Sequence, residues 1–280
     1  MENILITGAS TGIGYHLCQV FIKHGFRVFG SVRKDEDAQK LKVDFGDNFH
    51  ALLFDVTDHD SVQTAIDELT LIIGQEGLYG LINNAGMAVS GTIVHTSIAD
   101  YQKQFDVNFF GVIAVTKACL TLLGARKDAQ HEPGKIINIS SVSGKIAFPF
   151  LSPYCASKFA LEAFSDSLRR EMLLYGIDVI TIGPGPIRTP IWRKSEISTE
   201  TMQSDYGPSL IKFQKSIAKS VKNAMDPEEL ANRIYKVFIK KKSRTRYTFL
   251  NKKFLNYTIP RYFISPRQFD RFVGKLFSDK

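Results

Sequence analysis

The sequence predicts an α/β fold, a parallel sheet covered by helices on both faces within a single domain. Two observations lead there. Short apolar runs alternate with helical stretches through the first 185 residues, as strand–helix–strand units require. A glycine-rich turn, Thr7-Gly8-Ala9-Ser10-Thr11-Gly12-Ile13-Gly14, directly follows the first run and opens the first helix. The predicted strands are Asn3–Thr7, Arg27–Val32, Phe49–Phe54, Leu78–Ile82, Lys135–Ile139 and Asp178–Ile182. Helical patterns fill the gaps, beginning near Gly12, Asp35, Asp58, Ser97 and Ser152. Crossovers between parallel strands are expected to be right-handed, and no proline-rich or serine-rich linker divides the chain.

Beyond Gly183 the pattern changes. Pro184, Pro186 and Pro190 restrict the backbone, and a polar, poorly periodic stretch runs from about Trp192 to Asn223. Helix resumes at Asp226-Pro227-Glu228-Glu229, where Asp226 suits the cap and Pro227 the first helical position. A long irregular segment inside a compact domain is expected to be a lid or to be disordered, and the lid is placed at about residues 190–225. Residues 1–245 are therefore expected to form the catalytic domain, and 246–280 a basic, aromatic C-terminal extension.

Composition narrows the function classes. The chain has 280 residues, 44% hydrophobic and 23% charged, which excludes disordered, collagenous and disulfide-stapled proteins. Cys18, Cys119 and Cys155 are too few and too scattered for a disulfide framework or metal site, and six histidines show no metal-ligand spacing. No metal is expected, and a reducing compartment fits. Met1-Glu2-Asn3 leads straight into an apolar run that ends in a glycine turn, unlike a secretory signal. No run reaches the roughly 18 apolar residues of a spanning helix, so the expected location is cytoplasmic.

The net charge of +8 is uneven: residues 240–280 hold twelve Lys and Arg against Asp270 and Asp279, leaving 24 cations and 26 acids in the remainder. A slightly acidic body argues against nucleic acid as a partner. The tail interleaves its charges with Tyr247, Phe249, Phe254, Tyr257, Tyr262, Phe263, Phe269, Phe272 and Phe277. It reads either as peripheral contact with an anionic membrane or as a final helix packed on the domain, closing the substrate site.

Three features carry chemistry. Glycines between strand one and helix one let the backbone approach a pyrophosphate, which the helix N-terminus attracts. Tyr154 and Lys158 stand four apart on a helical pattern and share one face. A phenol titrates near pH 10, and an adjacent ammonium is expected to lower that value and make Tyr154 a proton donor and acceptor. Ser141, upstream after a strand, can hydrogen-bond a substrate oxygen as charge develops. At the end of strand two, Val32 stands where an NAD-preferring site places a carboxylate, and Arg33 follows. A guanidinium can pair with a 2′-phosphate, so NADP(H) is expected in preference to NAD(H).

Together these residues resemble the short-chain dehydrogenase/reductase family in its single-domain branch, over roughly residues 2–190. The shared set includes Thr7–Gly14, Asp55, Asn83-Asn84-Ala85-Gly86 and Asn108. It continues with Ser141, Tyr154-Cys155-Ala156-Ser157-Lys158 and Pro184-Gly185-Pro186-Ile187-Arg188-Thr189. The resemblance implies a three-layer, Rossmann-type, doubly wound sheet and a catalytic set of Asn108, Ser141, Tyr154 and Lys158, with Ser141 and Tyr154 touching substrate. Tyr154 would exchange the proton, Ser141 would stabilise the oxygen, and Lys158 would bind the nicotinamide ribose. Asn108 would hold a water linked to Lys158. Cofactor contacts would come from Gly8, Ser10, Thr11, Gly12, Ile13 and Gly14, from Asp55 and Val56 near the adenine, and from Asn84, Ala85 and Gly86. Tyr154, Lys158, Pro184, Gly185, Ile187 and Thr189 would complete the nicotinamide end.

The stretch Tyr154–Glu171 and the run Val107-Asn108-Phe109-Phe110-Gly111 are similar to 17β-hydroxysteroid and retinol dehydrogenases, which act on lipophilic alcohols and ketones. The run Ile146-Ala147-Phe148-Pro149-Phe150-Leu151 could line an apolar site or pack in the core. Cys155 falls on another helix face and is expected to pack. Trp192 could line the lid or lie exposed on it. The expectation is thus an NADP(H)-dependent oxidoreductase interconverting an alcohol and a ketone or aldehyde on a steroid-, retinoid- or lipid-like substrate. Alternatives are an acyl-thioester or polyketide ketoreductase, and a non-catalytic dinucleotide-binding sensor or scaffold. Family habit implies a homodimer or homotetramer.

Overall fold

The computed structural model describes residues 1–191 and 199–277. Seven strands, β1 (Asn3–Ile6), β2 (Arg27–Val32), β3 (Phe49–Leu53), β4 (Gly80–Asn83), β5 (Lys135–Ile139), β6 (Asp178–Pro184) and β7 (Arg246–Phe249), form one sheet ordered β3-β2-β1-β4-β5-β6-β7. All neighbours are parallel. The helices are α1 (Gly12–Lys23), α2 (Asp35–Phe45), α3 (His59–Ile73), α4 (Ile98–Phe105), α5 (Gly111–Cys119), α6 (Ser152–Met172), α7 (Thr199–Gln203), α8 (Gly207–Lys222), α9 (Pro227–Phe238), α10 (Ile259–Tyr262) and α11 (Pro266–Phe277).

Successive strand residues point to opposite faces, and the core divides accordingly. Ile4, Ile6, Ile82, Ile137 and Ile180 pack beneath α1, α2 and α9, against Leu17, Phe21, Leu41, Leu230, Ile234 and Phe238. Leu5, Leu81, Ile136 and Val179 pack on the other face with Val62, Ile66 and Leu69 of α3, Val115 of α5 and Leu168 of α6. The sheet is hydrophobic on both sides, as a parallel sheet between helical layers must be. Each large side chain buried this way contributes about 2 kcal/mol.

The helix starts follow their predicted chemistry. Asp58 caps α3 by accepting from Asp60 and Ser61 N–H, Ser97 caps α4 in a reciprocal box with Asp100, and Asp226 accepts from Glu228 N–H ahead of Pro227.

The C-terminal third differs from the sequence reading in two places. The stretch read as irregular between Trp192 and Asn223 contains α7 and the 16-residue α8; Trp192 itself lies outside the described residues. The basic segment set apart from residue 246 begins with β7, whose Thr248 and Phe249 pair with Gly183 and Pro184 of β6. The sheet therefore extends one strand beyond the predicted six.

Candidate active site

A cleft of about 1230 Å³ opens above the C-terminal ends of the strands. It is centred where β1 and β4 sit side by side and the strand order reverses, the usual ligand crevice of such sheets. Its floor on the β1 side is the glycine-rich turn. Gly8 and Gly12 adopt φ values of +69° and +59°, in the left-handed region that penalises side chains. Behind them, a Cβ on Gly14 would lie 2.1 Å from the Gly8 carbonyl oxygen.

Asn84, the residue after β4, fastens this turn: its amide donates to the Thr7 and Gly8 carbonyls at 2.9 and 3.2 Å. The Thr7 hydroxyl in turn accepts from the N–H groups of Asn84 and Ala85. Thr11 makes no side-chain cap on α1, and no acid occupies its first turn. The helix N-terminus thus presents unsatisfied N–H groups to the cleft, a suitable seat for an anion.

At one end of the cleft, Val32 is buried and Arg33 is 69% exposed at the rim, its guanidinium 3.6 Å from Asp55. Burial pushes the Asp55 carboxyl up, but the Thr57 N–H and hydroxyl, followed by Arg33, outweigh it and hold it below its ordinary value. Val56, Ala85 and Gly86 continue the wall, and Pro184, Gly185, Ile187 and Thr189 close the other side.

Ser141, Tyr154 and Lys158 converge midway along the cleft. Ser141 follows β5, and its hydroxyl bonds to the Tyr154 hydroxyl. Tyr154 and Lys158 lie one turn apart on α6, with the ammonium nitrogen 5.9 Å from the phenol ring centre. Lys158 Nζ donates to the Ile139 carbonyl at 2.8 Å.

Both groups are almost fully enclosed, and this changes their expected titration. Burial raises the Tyr154 phenol to about 12, against the pull of the Ser141 hydrogen bond. Burial lowers the Lys158 ammonium to about 8, against the attraction of Glu162. The predicted lowering of the tyrosine by its lysine neighbour is therefore not the net result in this chain, because desolvation of the phenolate dominates.

Two predicted site residues stand behind the cleft wall. Gly14 is packed against Gly8 as described, and Asn108 is fully buried. Asn108 occupies a π-helical turn, Asp106–Phe110, between α4 and α5, an irregularity common at functional sites. Its carbonyl oxygen accepts from Met87 N–H, while its amide donates to Met87 O and Ser157 Oγ. A Cβ on Gly86 would stand 3.3 Å from Asn108 Oδ1 and 4.0 Å from Lys158 Nζ, so the bare glycine leaves space between them.

The structure adds a pair that sequence reasoning missed. Glu162, one turn beyond Lys158, has a side chain only 4% exposed and receives Arg246 of β7 at 2.8 and 3.1 Å, with Lys145 at 3.3 Å. The same guanidinium donates to the Ser141 carbonyl at 3.3 Å and the Tyr257 hydroxyl at 3.2 Å. A Cβ on Gly183 would come within 2.3 Å of Arg246 Nη2, so a glycine on β6 makes room for the ion pair. The Arg246 position in a basic tail and the Glu162 position on an amphipathic helix give no separate signal of their pairing.

Beyond Tyr154 the cleft becomes apolar, lined by Phe148, Leu151, Phe213, Ile217, Leu250 and Phe277. Phe150, beside this wall, holds φ +62°, uncommon for a bulky residue. Its carbonyl accepts from Gly91 N–H at 2.9 Å, and its ring packs on Phe213 and Phe277. Cys155 packs in this cluster. Of the two readings of Ile146–Leu151, Phe148, Pro149 and Leu151 line the cleft, whereas Ile146 is buried away from it.

A crevice at the strand-order switch point, leading to an enclosed Ser–Tyr–Lys set, defines an oxidoreductase of alcohol and carbonyl groups. The chain belongs to the short-chain dehydrogenase family, whose description, "short chain dehydrogenase", matches residues 2–200. An NADPH-dependent 3-dehydrocapnine reductase from Ornithobacterium rhinotracheale is 39% identical over 276 residues, covering 98% of this chain and 97% of that protein. Retinol dehydrogenase 5 from Mus musculus is 33% identical over 259 residues, covering 88% and 79%. A solved short-chain dehydrogenase from Streptomyces avermitilis superposes with a TM-score of 0.77 at 27% identity, covering 92% of this chain and 91% of that one.

Proposed function

We propose that this protein is an NADPH-dependent reductase of a ketone carried on a lipophilic, long-chain substrate. The observation that carries the reading is the hydrogen-bonded Ser141–Tyr154 pair, placed where the dinucleotide crevice meets the apolar chamber. Likeness along nearly the full length to an NADPH-dependent reductase of a 3-dehydro compound supports both cofactor and direction.

The residues present fit a nicotinamide dinucleotide. Gly8 and Gly12 leave the floor bare for a pyrophosphate at the α1 N-terminus, Asp55 and Val56 would hold the adenine end, and Ile187 and Thr189 the nicotinamide end. When bound, NADPH supplies the hydride. Tyr154, protonated throughout the neutral range, donates its proton to the substrate oxygen, and Ser141 steadies that oxygen as charge builds. The Lys158 ammonium holds the ribose and favours the transient phenolate. Asn108 supports a water in the space beside Gly86, through which Lys158 and Tyr154 regain a proton.

Arg33 carries the cofactor choice. Arg33→Ala should weaken NADPH binding by about 10–100-fold, the worth of a hydrogen bond to a charged group, while NADH binding hardly changes. Titration of both cofactors by nucleotide fluorescence checks this; equal losses would remove the 2′-phosphate assignment.

The substrate class is tested by following NADPH oxidation against long-chain ketones, steroid and retinoid carbonyls and 3-ketoacyl thioesters. Long-chain ketones should give the highest kcat/KM. Preference for thioesters would move the enzyme to acyl-chain reduction, and NADPH binding without turnover of any compound would favour a sensor. As in many relatives, we place the assembly as a homodimer or homotetramer, with the exposed Phe110 at the end of the π-turn and Phe159 on α6 as contact residues.

A further inference from the structure

We propose that the C-terminal segment from Lys252 to Phe277 is a docking face for an anionic lipid bilayer, lying flat on its surface at the mouth of the cleft. The helix α11 carries three strips at helical spacing. Phe269, Val273 and Phe277 are half-buried; Phe277 packs on Phe213 of α8 and accepts from the Ser209 hydroxyl through its carbonyl. This strip meets the expectation that the tail packs on the domain.

The second strip has no such cover. Phe272 and Leu276, four residues apart, are 58% and 52% exposed, and Tyr262, Phe263 and Leu255 in the segment leading to α11 are more exposed still. The third strip, Arg267, Arg271 and Lys275, is exposed beside it. Exposed large apolar groups bordered by cations are what an interfacial helix presents to headgroups and acyl chains.

Charge selects the occupant. Residues 252–277 hold Lys252, Lys253, Arg261, Arg267, Arg271 and Lys275 against the single acid Asp270. A second copy brought onto this face by a twofold axis would set like charges together, whereas an anionic bilayer complements them. Nucleic acid would satisfy the cations but leave Phe272 and Leu276 without a partner. No helix among the described residues is long and apolar enough to cross a membrane, so the contact is peripheral.

The docking does not depend on the proposed reaction, but its consequence for substrate entry does. Phe277 and Asn256 belong both to this segment and to the cleft wall. A protein seated this way would open its apolar chamber towards the layer in which a long-chain ketone dissolves.

The test is co-sedimentation of the full-length protein with vesicles of phosphatidylglycerol mixed with phosphatidylcholine, and with phosphatidylcholine alone. Binding should be strong only to the anionic vesicles and should fall with salt. Arg267→Gln/Arg271→Gln/Lys275→Gln should lower the partition coefficient on the order of 100-fold, and Phe272→Ser/Leu276→Ser by about tenfold. NADPH affinity and the thermal midpoint should stay at wild-type values in both variants, which alter only exposed side chains. Failure of the wild type to sediment would overturn the proposal. So would vesicle binding indifferent to Phe272→Ser/Leu276→Ser, which marks simple polyanion attraction, or a fall in oligomeric mass in that variant, which marks a subunit contact. Loss of turnover on dispersed substrate with vesicle binding intact would count against the reaction and leave the docking face standing.

Discussion

Tyr154→Phe should lower kcat for carbonyl reduction by about a thousandfold, within the range of a lost general acid, while NADPH binds as before. The removed atom is one hydroxyl, so the ring still fills its place on α6 and the change falls on proton delivery. Its environment sets the direction of the effect. The phenol sits at about 12 because burial disfavours its charged form, so the group is a proton donor at every pH where the protein is expected to work. Ser141→Ala should cost less, about a hundredfold, because it removes a hydrogen bond to the developing oxyanion and leaves the acid in place. Stopped-flow oxidation of NADPH with a good ketone substrate separates the two from cofactor binding. Near-normal turnover in Tyr154→Phe would show that another group supplies the proton.

Glu162→Gln should both destabilise the fold and move the active-site titration. Arg246 would keep its enclosed guanidinium while losing the carboxylate whose two oxygens share its Nε–H. Breaking one half of a buried pair costs about 3 kcal/mol or more, read as a lower thermal midpoint. The second effect is specific to the site. Lys158 is pushed down to about 8 by burial and held up in part by the Glu162 charge. Removing that charge makes the ammonium easier to deprotonate, so the alkaline fall in kcat/KM for NADPH should shift to lower pH. Arg246→Met should destabilise without moving the limb in that direction, since Glu162 then stays beside Lys158. Paired loss of both side chains should cost less than the sum of the single losses. An unmoved limb in Glu162→Gln would reduce the pair to a structural role.

The parts of the fold that were legible share a cause: their signal is local. A strand such as Ile4-Leu5-Ile6 needs only its own apolar run, and α3 or α9 needs only Asp58 or Asp226 at its cap and a periodic face behind it. The candidate site was legible for a related reason, because Tyr154 and Lys158 carry their geometry in a four-residue spacing and the glycine turn carries its own in eight consecutive residues. What escaped depends on distant partners. Arg246-Tyr247-Thr248-Phe249 looks like more of a basic, aromatic tail, and becomes a strand through β6 and through a carboxylate 84 positions earlier. The α8 pattern is sparse, with Leu210 and Phe213 as its large buried groups, since Phe213, Ser216, Ile217 and Ser220 face a cleft. The tyrosine titration could not be foreseen either, because enclosure is a property of the assembled site and not of the Tyr–Lys spacing.

Arg246 also orders events in time. The dinucleotide crevice is assembled from residues made early, and domains are built from the N-terminus as the ribosome proceeds. The guanidinium that bonds to the Ser141 carbonyl and to Glu162 arrives only after some hundred further residues. A message cut short just before this codon would encode every recognisable motif of the family and still yield a protein whose buried glutamate lacks its arginine and keeps only Lys145 as counter-ion.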